Sequence, residues 1–410
     1  MLKNVDIICF GPTDYWGMNP SCATHIMRKL SAANRVVYIN PISSDLFTAT
    51  CKRGFFTRVF RKAKSMFMVF RKPAPNLYVL SPFFLPIQGI GPVDKLNNIL
   101  LTLQLRLVTK FLKMKSPILW AENVRCAEVI RKFSWPLVIY HVSDRFEECP
   151  YTQNREMLSK REEHVAKNSN LLICVSKELY QSKLKYRDRN SNVYYLPHGV
   201  EFSLFNQAAQ KQRSFPGLRT VAGAIAGYFG TLTEQNDIEL LEYCVENLPD
   251  VTFVFAGEIT AGDYSKLKAM QNTIFLGRVA YEQIPLLCAS FDVCLLPWKM
   301  NNWIYSCNPL KLFEYMAAGK PIVSVPIKEI VNNYSDIVSV TCNKKKFSQA
   351  IKWELANDTK ERKEKRIAIA QTNSWENHAK KLGAMTDTAL LKKHWYMSEN
   401  FKKSKCSSLV

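Results

Sequence analysis

Short apolar segments alternate with amphipathic stretches along the first half of the chain. The segments lie at residues 6–11, 35–40, 76–82, 116–123, 136–144, 170–176 and 192–197. They are apolar at consecutive rather than alternate positions, which is typical of strands that helices cover on both faces. The succession of such strands and helical patterns predicts a parallel sheet wound with helices.

A second series of apolar segments follows a polar stretch at residues 206–219. Its members lie at 220–230, 251–258, 273–277, 291–298, 320–327 and 336–341. The whole pattern predicts an α/β fold of two Rossmann-like, doubly wound parallel-sheet domains, 1–205 and 220–374, with a linker at 206–219. We expect residues 375–410 to form a helix, packed back on the first domain, and a basic tail. Open sheets bind ligands beyond the carboxyl ends of their strands, so we expect a site in a cleft between the two domains.

Composition adds a bias towards anionic partners. The 410 residues contain 56 Lys and Arg against 35 Asp and Glu, a formal charge of +21 that suits nucleic acid, anionic lipid or phosphorylated substrates. The twelve cysteines form no C-x-x-C pair and no cluster at zinc spacing, so we expect free thiols, a cytoplasmic location and no metal site. The apolar stretch at 99–112 contains Arg106 and Lys110 and is shorter than the roughly 20 residues that span a membrane.

The chemistry is concentrated in residues 306–325, SCNPLKLFEYMAAGKPIVSV. Asn308 suits an N-cap, Pro309 the first helical position, and Gly319 the end of a short helix. The unpaired N–H groups at such a helix start suit a diphosphate. Lys311 would add a full charge, and Glu314, on the same face, could accept hydrogen bonds from ribose hydroxyls. A solvent-facing Lys–Glu pair on an ordinary helix is the competing interpretation of the same spacing.

The segment resembles the donor-site motif of GT-B glycosyltransferases, in particular the family 4-like bacterial enzymes of polysaccharide and teichuronic acid type. The similarity continues through residues 275–298 and through 224–232, a Gly-rich turn after an apolar strand. It implies a UDP- or GDP-sugar donor and no further cofactor. The donor site that it implies consists of Gly230, Arg278, Asn308, Pro309, Leu310, Lys311 and Glu314.

Segments of the first domain also resemble this family. Residues 17–41 are similar to its opening loop, helix and strand, with His25 and Arg28 at matching positions, and residues 193–205 are similar to the segment that closes its first domain. His198 stands where that segment usually has Asn. Ser306 stands where many retaining members have the first Glu of a Glu-x7-Glu pair, so neither inversion nor retention is carried over.

A working mechanism follows from these residues. No D-x-D motif accompanies the donor segment, so we expect Lys311, the helix start and Arg278 to stabilise the leaving diphosphate without a metal. For an inverting reaction Asp144, at the end of the segment 136–144, is the first candidate for the catalytic base, followed by His25 and Asp14. An N-cap role for Asp144 and a packed role for His25 are the structural alternatives.

Residues 51–72 contain eight Lys or Arg, five Phe and no acid. This composition suits an interfacial segment on an anionic membrane, with solvated charge and partly buried Phe as the alternative. We therefore expect a protein peripheral to the inner face of the cell membrane, acting on a saccharide acceptor that is lipid-linked.

Two other functions remain open on the sequence. A GT-B-fold sugar-nucleotide epimerase would use the same donor motif. A basic nucleic-acid-binding protein would account for the charge and the interleaved Phe, but it leaves residues 308–321 unexplained, and the chain has no helix-turn-helix, zinc-finger or RNP signature. We therefore expect no nucleic-acid partner.

Overall fold

The computed structural model describes residues 2–17, 19–41, 69–85, 91–150, 152, 154–186, 192–211 and 215–407, with backbone alone over 394–407. Residues 51–68, which make up most of the predicted membrane segment, lie outside this set.

The first domain is built on an eight-stranded sheet. Its strands are β1 (Asp6–Phe10), β2 (Arg35–Ile39), β3 (Phe70–Ala74), β4 (Leu77–Leu80), β5 (Ile118–Ala121), β6 (Val138–Val142), β7 (Leu171–Cys174) and β8 (Val193–Tyr195). They lie in the order β3-β4-β2-β1-β5-β6-β7-β8, and every pairing except β3 with β4 is parallel. Residues 70–72 therefore belong to an antiparallel edge strand, and the interfacial role of residues 51–72 stays a prediction.

The second domain is built on a six-stranded, entirely parallel sheet. Its strands are β9 (Ala224–Phe229), β10 (Val251–Ala256), β11 (Thr273–Gly277), β12 (Val293–Leu296), β13 (Ile322–Ser324) and β14 (Ser339–Val340). Their order is β11-β10-β9-β12-β13-β14. The two parallel sheets confirm the predicted fold class.

Helices connect the strands on both faces of each sheet. They are α1 (Cys22–Leu30), α2 (Gly91–Phe111), α3 (Ala127–Ile130), α4 (Arg155–Asn168), α5 (Lys177–Leu184), α6 (Phe202–Gln210), α7 (Ile238–Asn247), α8 (Ser265–Ala269), α9 (Ile284–Ala289), α10 (Asn302–Ser306), α11 (Leu310–Ala317), α12 (Lys328–Tyr334), α13 (Lys344–Asn357), α14 (Lys360–Thr372) and α15 (Trp375–Ser407).

The apolar runs form strands because both of their faces are covered. In β1, Ile8 packs into a core with Leu105 of α2 and Val165 of α4. Its neighbour Ile7 points to the opposite face and packs with Ile26 of α1 and Leu382 of α15. Successive side chains of a strand alternate between faces, so a run buried on both must be apolar at every position.

The chain crosses between the domains at two adjacent points. Val200 and Ser374 form a parallel bridge, in which the Val200 amide donates to Asn373 O at 3.0 Å and the Trp375 amide donates to Val200 O at 3.0 Å. A Cβ atom on Gly199 would lie 2.5 Å from the Trp375 ring, so only glycine permits this contact. The two crossings are therefore held together tightly.

The predicted linker at 206–219 is not an irregular tether. Helix α6 runs through its first part, Pro216–Leu218 form a 3-10 turn, and Phe205 and Leu218 are buried in the core of the second domain. Helix α15 follows the second domain in the sequence but packs on the first. Its residues Trp375 and Leu382 lie in a core of the first domain.

No helix among the described residues combines the length and apolarity needed to cross a membrane.

Candidate active site

A cavity of about 310 Å³ lies between the two domains, beyond the carboxyl ends of β9, β10 and β11. We call it the interdomain cavity. Asn19 and Pro20 are its first-domain walls. The second domain contributes Phe229, Gly230, Thr231, Ala256, Gly257, Glu258, Arg278, Val279, Tyr281, Ile284, Leu310, Lys311 and Glu314. It occupies the position at which open α/β sheets bind ligands.

Two glycines bring the backbone close to the floor of this cavity. A Cβ atom on Gly257 would lie 1.9 Å from the carbonyl oxygen of Gly230, and both residues have positive φ, +156° and +133°. The Gly230 amide donates to Ala256 O at 2.8 Å, which ties the turn after β9 to the end of β10. Larger residues would separate the two turns and close the approach to the backbone.

Helix α11 presents its N-terminus to the cavity. The helix starts at Leu310 with Pro309 at the N-cap position and no side-chain cap. The prediction that Asn308 is the N-cap and Pro309 the first helical residue is therefore wrong. The side-chain Nδ2 atom of Asn308 donates to Val175 O of the first domain at 2.7 Å, which places this side chain at the domain interface.

Lys311 extends from the first turn of α11 across Gly230. Its Nζ atom lies 5.5 Å from the ring centroid of Tyr228 and 5.5 Å from that of Trp298. Within the described part of the chain no salt bridge involves Lys311. An ammonium group held over aromatic faces, without a carboxylate partner, remains available to an anionic ligand in the cavity.

Glu314 lies one turn further along α11 and lines the same cavity. Burial raises the pKa of Glu314 to about 7, against the lowering effects of Lys311 and of a hydrogen bond from the Tyr281 hydroxyl. The carboxylate can thus change its charge near neutral pH. Its predicted role as a ribose acceptor stays a prediction, although the structure brings it and Lys311 to one cavity.

Arg278 lies at the mouth of the cavity, after β11. Its Nε atom donates to Glu258 Oε2 at 2.8 Å, and just over half of its side chain is exposed. A ligand phosphate would compete with Glu258 for this guanidinium.

Asp144 lies at the domain interface, just after β6, and does not line the cavity. Its Oδ1 atom accepts from Trp303 Nε1 at 2.7 Å and from its neighbour's amide, Arg145 N, at 2.8 Å. Burial raises the pKa of Asp144 to about 6, although these donors lower it. A carboxyl group with such a pKa suits a general base, while the bond to Trp303 also joins the two domains.

His25 is buried behind the cavity rather than on its wall. Its ring stacks on Trp375 with a centroid separation of 5.1 Å and lies 5.6 Å from Tyr281, a residue of the cavity lining. Its Nδ1 atom is 3.2 Å from Glu201 Oε1. Burial lowers the pKa of His25. Its catalytic role stays a prediction, and the contacts point to support of Tyr281.

The other sequence candidates have local partners. Asp14 accepts from the Trp16 amide at 3.0 Å, and Arg28 Nε donates to the Tyr15 hydroxyl at 3.1 Å. Ser306 is buried at the end of α10, where its carbonyl accepts from Ser176 Oγ at 2.7 Å across the domain interface.

Sequence reasoning missed Tyr281, Gly257 and Asn19. Gly257 carried a detectable signal, because a glycine directly follows the apolar run 251–256 just as Gly230 follows 224–229. Tyr281 belonged to a recognised segment but its contact with Glu314 depends on the fold. Nothing in the local sequence singles out Asn19.

Among the residues that the structure describes, one group of side chains lies close enough together to hold a metal ion: Cys22, Glu122 and His141. All three are buried in the first domain, and His141 Nδ1 lies 2.9 Å from Glu122 Oε1. None of them lines the interdomain cavity.

Comparison with known proteins agrees with this architecture. Residues 224–357 match the family model described as "Glycosyl transferases group 1". This segment is similar to the group 1 glycosyl transferases. It contains Gly230, Arg278, Lys311 and Glu314, so the second-domain wall of the cavity lies within the segment that matches this family model.

A curated relative of the chain is the Bacillus subtilis (strain 168) protein named "Putative teichuronic acid biosynthesis glycosyltransferase TuaH". It is 30% identical over 204 residues, which are 47% of this chain and 51% of the relative. The chain thus spans about half the length of the curated relative that it matches.

Solved structures resemble the chain over nearly its whole length. Sucrose-phosphate synthase from Thermosynechococcus elongatus superposes with a TM-score of 0.70 at 12% identity, covering 95% of this chain and 100% of that one. Anabaena HepE, in complex with UDP and glucose, gives 0.63 at 15% identity, covering 94% and 100%. The chain has the GT-B fold of these proteins, and residues 224–357 of its second half are similar to the group 1 family model.

Proposed function

We propose that this chain is a glycosyltransferase that moves a sugar from a nucleoside diphosphate sugar to a saccharide acceptor. The observation that carries the proposal is the pairing of Lys311 and Glu314 on the first turns of α11, facing the glycine turns of the interdomain cavity. The lysine and the helix N-terminus suit a diphosphate, and the carboxylate suits a ribose.

The donor is a UDP- or GDP-sugar. Solved relatives support a nucleotide-sugar donor, since Anabaena HepE is described in complex with UDP-glucose and the Escherichia coli trehalose-6-phosphate protein as bound with UDP-2-fluoro glucose. Lys311, the backbone N–H groups at the start of α11 and Arg278 stabilise the leaving diphosphate. Three such donors replace the charge that a metal ion would otherwise supply, so we propose a metal-independent reaction.

For the inverting course of transfer we assign the base to Asp144. The acceptor oxygen forms a bond to the anomeric carbon as the bond from that carbon to the diphosphate oxygen breaks. The acceptor proton passes to the Asp144 carboxylate, and the electron pair of the broken bond leaves with the nucleoside diphosphate. The raised pKa of Asp144, about 6, keeps the carboxylate ionised at neutral pH yet basic enough to take a proton.

The acceptor is a saccharide, lipid-linked, in the synthesis of a cell-surface polysaccharide. The name of the Bacillus subtilis relative refers to teichuronic acid biosynthesis, which supports a polysaccharide product. The basic and aromatic residues 51–72 support a protein peripheral to the inner face of the cell membrane.

A donor screen tests the proposal. The melting temperature of the protein is measured with each nucleoside diphosphate in turn. We expect it to rise with either UDP or GDP and with no other nucleotide. Donor consumption should then require a saccharide acceptor. Turnover of the donor to a stereoisomer without any acceptor would identify an epimerase instead, and no response to any nucleotide would reject the proposal.

A further inference from the structure

Helix α2 of the first domain has two apolar faces. Asn97, Leu101, Thr102 and Leu105 are buried against the domain. On the opposite face, side chains that are between 44% and 74% exposed recur at spacings of three or four residues: Leu96, Ile99, Leu103, Leu107 and Phe111. We call these five residues the α2 stripe. An ordinary surface helix has an apolar face only towards the core.

The α2 stripe is long, and neighbouring residues extend it. From Leu96 to Phe111 it covers about 22 Å of helix axis at about 1.5 Å per residue. Phe83, 39% exposed, is held beside it because the Phe83 amide donates to Gln104 Oε1 of α2 at 2.7 Å. At the far end, the rings of Phe70 and Phe111 lie 6.1 Å apart edge to face. A contiguous exposed apolar surface of this extent marks an interaction site.

Positive charge borders the stripe. At about 100° per residue, Lys95, Arg106 and Lys110 lie along one edge of it, and all three are exposed. Asp94, in the first turn, is the one acid in the sequence of α2. An apolar band with a basic border is complementary to an anionic lipid surface, into which apolar side chains insert while lysine and arginine contact the headgroups.

We propose that the α2 stripe docks the protein on an anionic membrane, with the axis of α2 parallel to the membrane plane. The proposal deepens the proposed function and rests on the membrane partner named there: it identifies the surface that contacts lipid, and this contact requires no donor. It also differs from the membrane role of residues 51–72, since it rests on described side chains of another element.

Flotation with lipid vesicles, without nucleotide or acceptor, tests the docking. The full chain is mixed with vesicles of phosphatidylglycerol and phosphatidylcholine in equal parts, or of phosphatidylcholine alone. We expect binding to the anionic vesicles, weakened about tenfold or more by Leu103→Gln with Leu107→Gln, because two partly inserted side chains are lost. Both sites are exposed, so the variant should keep its melting temperature.

Two further variants separate the contributions. Lys95→Gln with Lys110→Gln should weaken binding about fivefold per residue and reduce its salt dependence. The matched control is Leu204→Gln with Val331→Gln, at comparably exposed positions on α6 and α12, and it should bind as the wild type does.

Three results would overturn the proposal. The first is unchanged vesicle binding by the Leu103/Leu107 variant. The second is an equal loss in the control variant. The third is a dimer, detected by light scattering, that the Leu103/Leu107 variant abolishes while neither protein binds vesicles. Since donor binding is read separately, none of these results depends on the proposed transfer activity.

Discussion

The Lys311 side chain occupies the space that a side chain on Gly230 would need. A Cβ atom on Gly230 would lie 2.4 Å from Cε and 2.7 Å from Nζ of Lys311, and Gly230 has a φ of +133°. Gly230→Ala should therefore displace the ammonium group, weaken UDP or GDP binding about tenfold and cost about 1–3 kcal/mol of stability through backbone strain. Calorimetric titration and urea unfolding measure the two effects.

Gly217→Ala is the matched control for this change. A Cβ atom there would lie 3.5 Å from its nearest neighbour, an ordinary contact, so binding and stability should stay near those of the wild type. Normal nucleotide affinity in Gly230→Ala would contradict the assignment of Lys311 to the phosphates.

Lys311→Ala should remove a charge that acts on the departing diphosphate. We expect kcat/KM to fall about 100- to 1,000-fold, the range seen when one donor to a developing negative charge is lost. Lys311→Arg should recover part of the loss. Lys345→Ala, at an exposed lysine on α13, is the charge-matched control, and full activity of Lys311→Ala in the same assay would exclude the proposed role.

Glu314→Gln should change how stability depends on pH. Because burial raises the pKa of Glu314 to about 7, the folded protein holds a proton between about pH 4.5 and 7 that the unfolded chain has released. Ionising this carboxyl therefore lowers the free energy of unfolding as pH rises through that window. The variant should be about 1–3 kcal/mol more stable than the wild type above pH 7 and similar to it near pH 4.5, as measured by urea unfolding.

The same carboxyl should affect nucleotide binding with the opposite sign. Ionised Glu314 accepts hydrogen bonds from ribose hydroxyls more strongly, so the affinity of the wild type for the nucleotide should increase as pH rises through about 7. The affinity of Glu314→Gln should be nearly constant over that range in calorimetric titration. A parallel increase in both proteins would argue against contact with the ribose.

Trp303→Phe tests whether Asp144 is the base. The Trp303 indole donates to Asp144 Oδ1 at 2.7 Å and lowers the pKa of that carboxyl. Without this donor the pKa rises above about 6, so the acid limb of the pH–rate profile should move to higher pH. A purely structural Asp144 would give a lower rate at every pH with the limb unmoved.

Asp144→Asn completes this test. Loss of a general base should reduce kcat about 100- to 10,000-fold. Trp353→Phe, at an exposed tryptophan on α13, is the control for the loss of an indole and should leave the profile unchanged.

His198 should determine part of how the free energy of unfolding depends on pH in the acid range. Burial, with the neighbouring His141 and His378, lowers the pKa of His198 to about 3. Below about pH 6.5 this histidine binds a proton in the unfolded chain but stays neutral in the folded protein. The free energy of unfolding therefore decreases as pH falls below about 6.5. His198→Asn should reduce this dependence by up to about 1.4 kcal/mol per pH unit. An unchanged slope in urea unfolding between about pH 6.5 and 4 would contradict it.

The sequence was sufficient for the fold class and for five residues of the cavity lining: Gly230, Arg278, Leu310, Lys311 and Glu314. Gly230, Lys311 and Glu314 could be found because each belongs to a local pattern, a strand followed by a turn or the first turns of a helix. Tyr281 and Asn19 could not be assigned to the cavity, because their positions depend on how distant loops meet. The partner of Asn308, Val175, is 133 residues away, and no local rule relates them.

Local rules also failed where a segment serves two purposes. Asn308 has the side chain of an N-cap, but its Nδ2 atom donates to the buried carbonyl of Val175 at the domain interface, and the side chain does not cap α11. The stretch 51–72 is basic and aromatic throughout, yet Phe70 and Arg71 pair with β4. Edge strands tolerate basic residues, which is why charge did not reveal this one.

The paired crossings at Val200 and Ser374 also set the way in which the two halves can move. A single tether would let one half twist and tilt freely against the other. Two adjacent chain segments bonded to each other, with Trp375 packed on Gly199, favour bending about a single axis. Substrate entry and product release would then follow one opening motion, whose axis lies far along the chain from the reacting atoms.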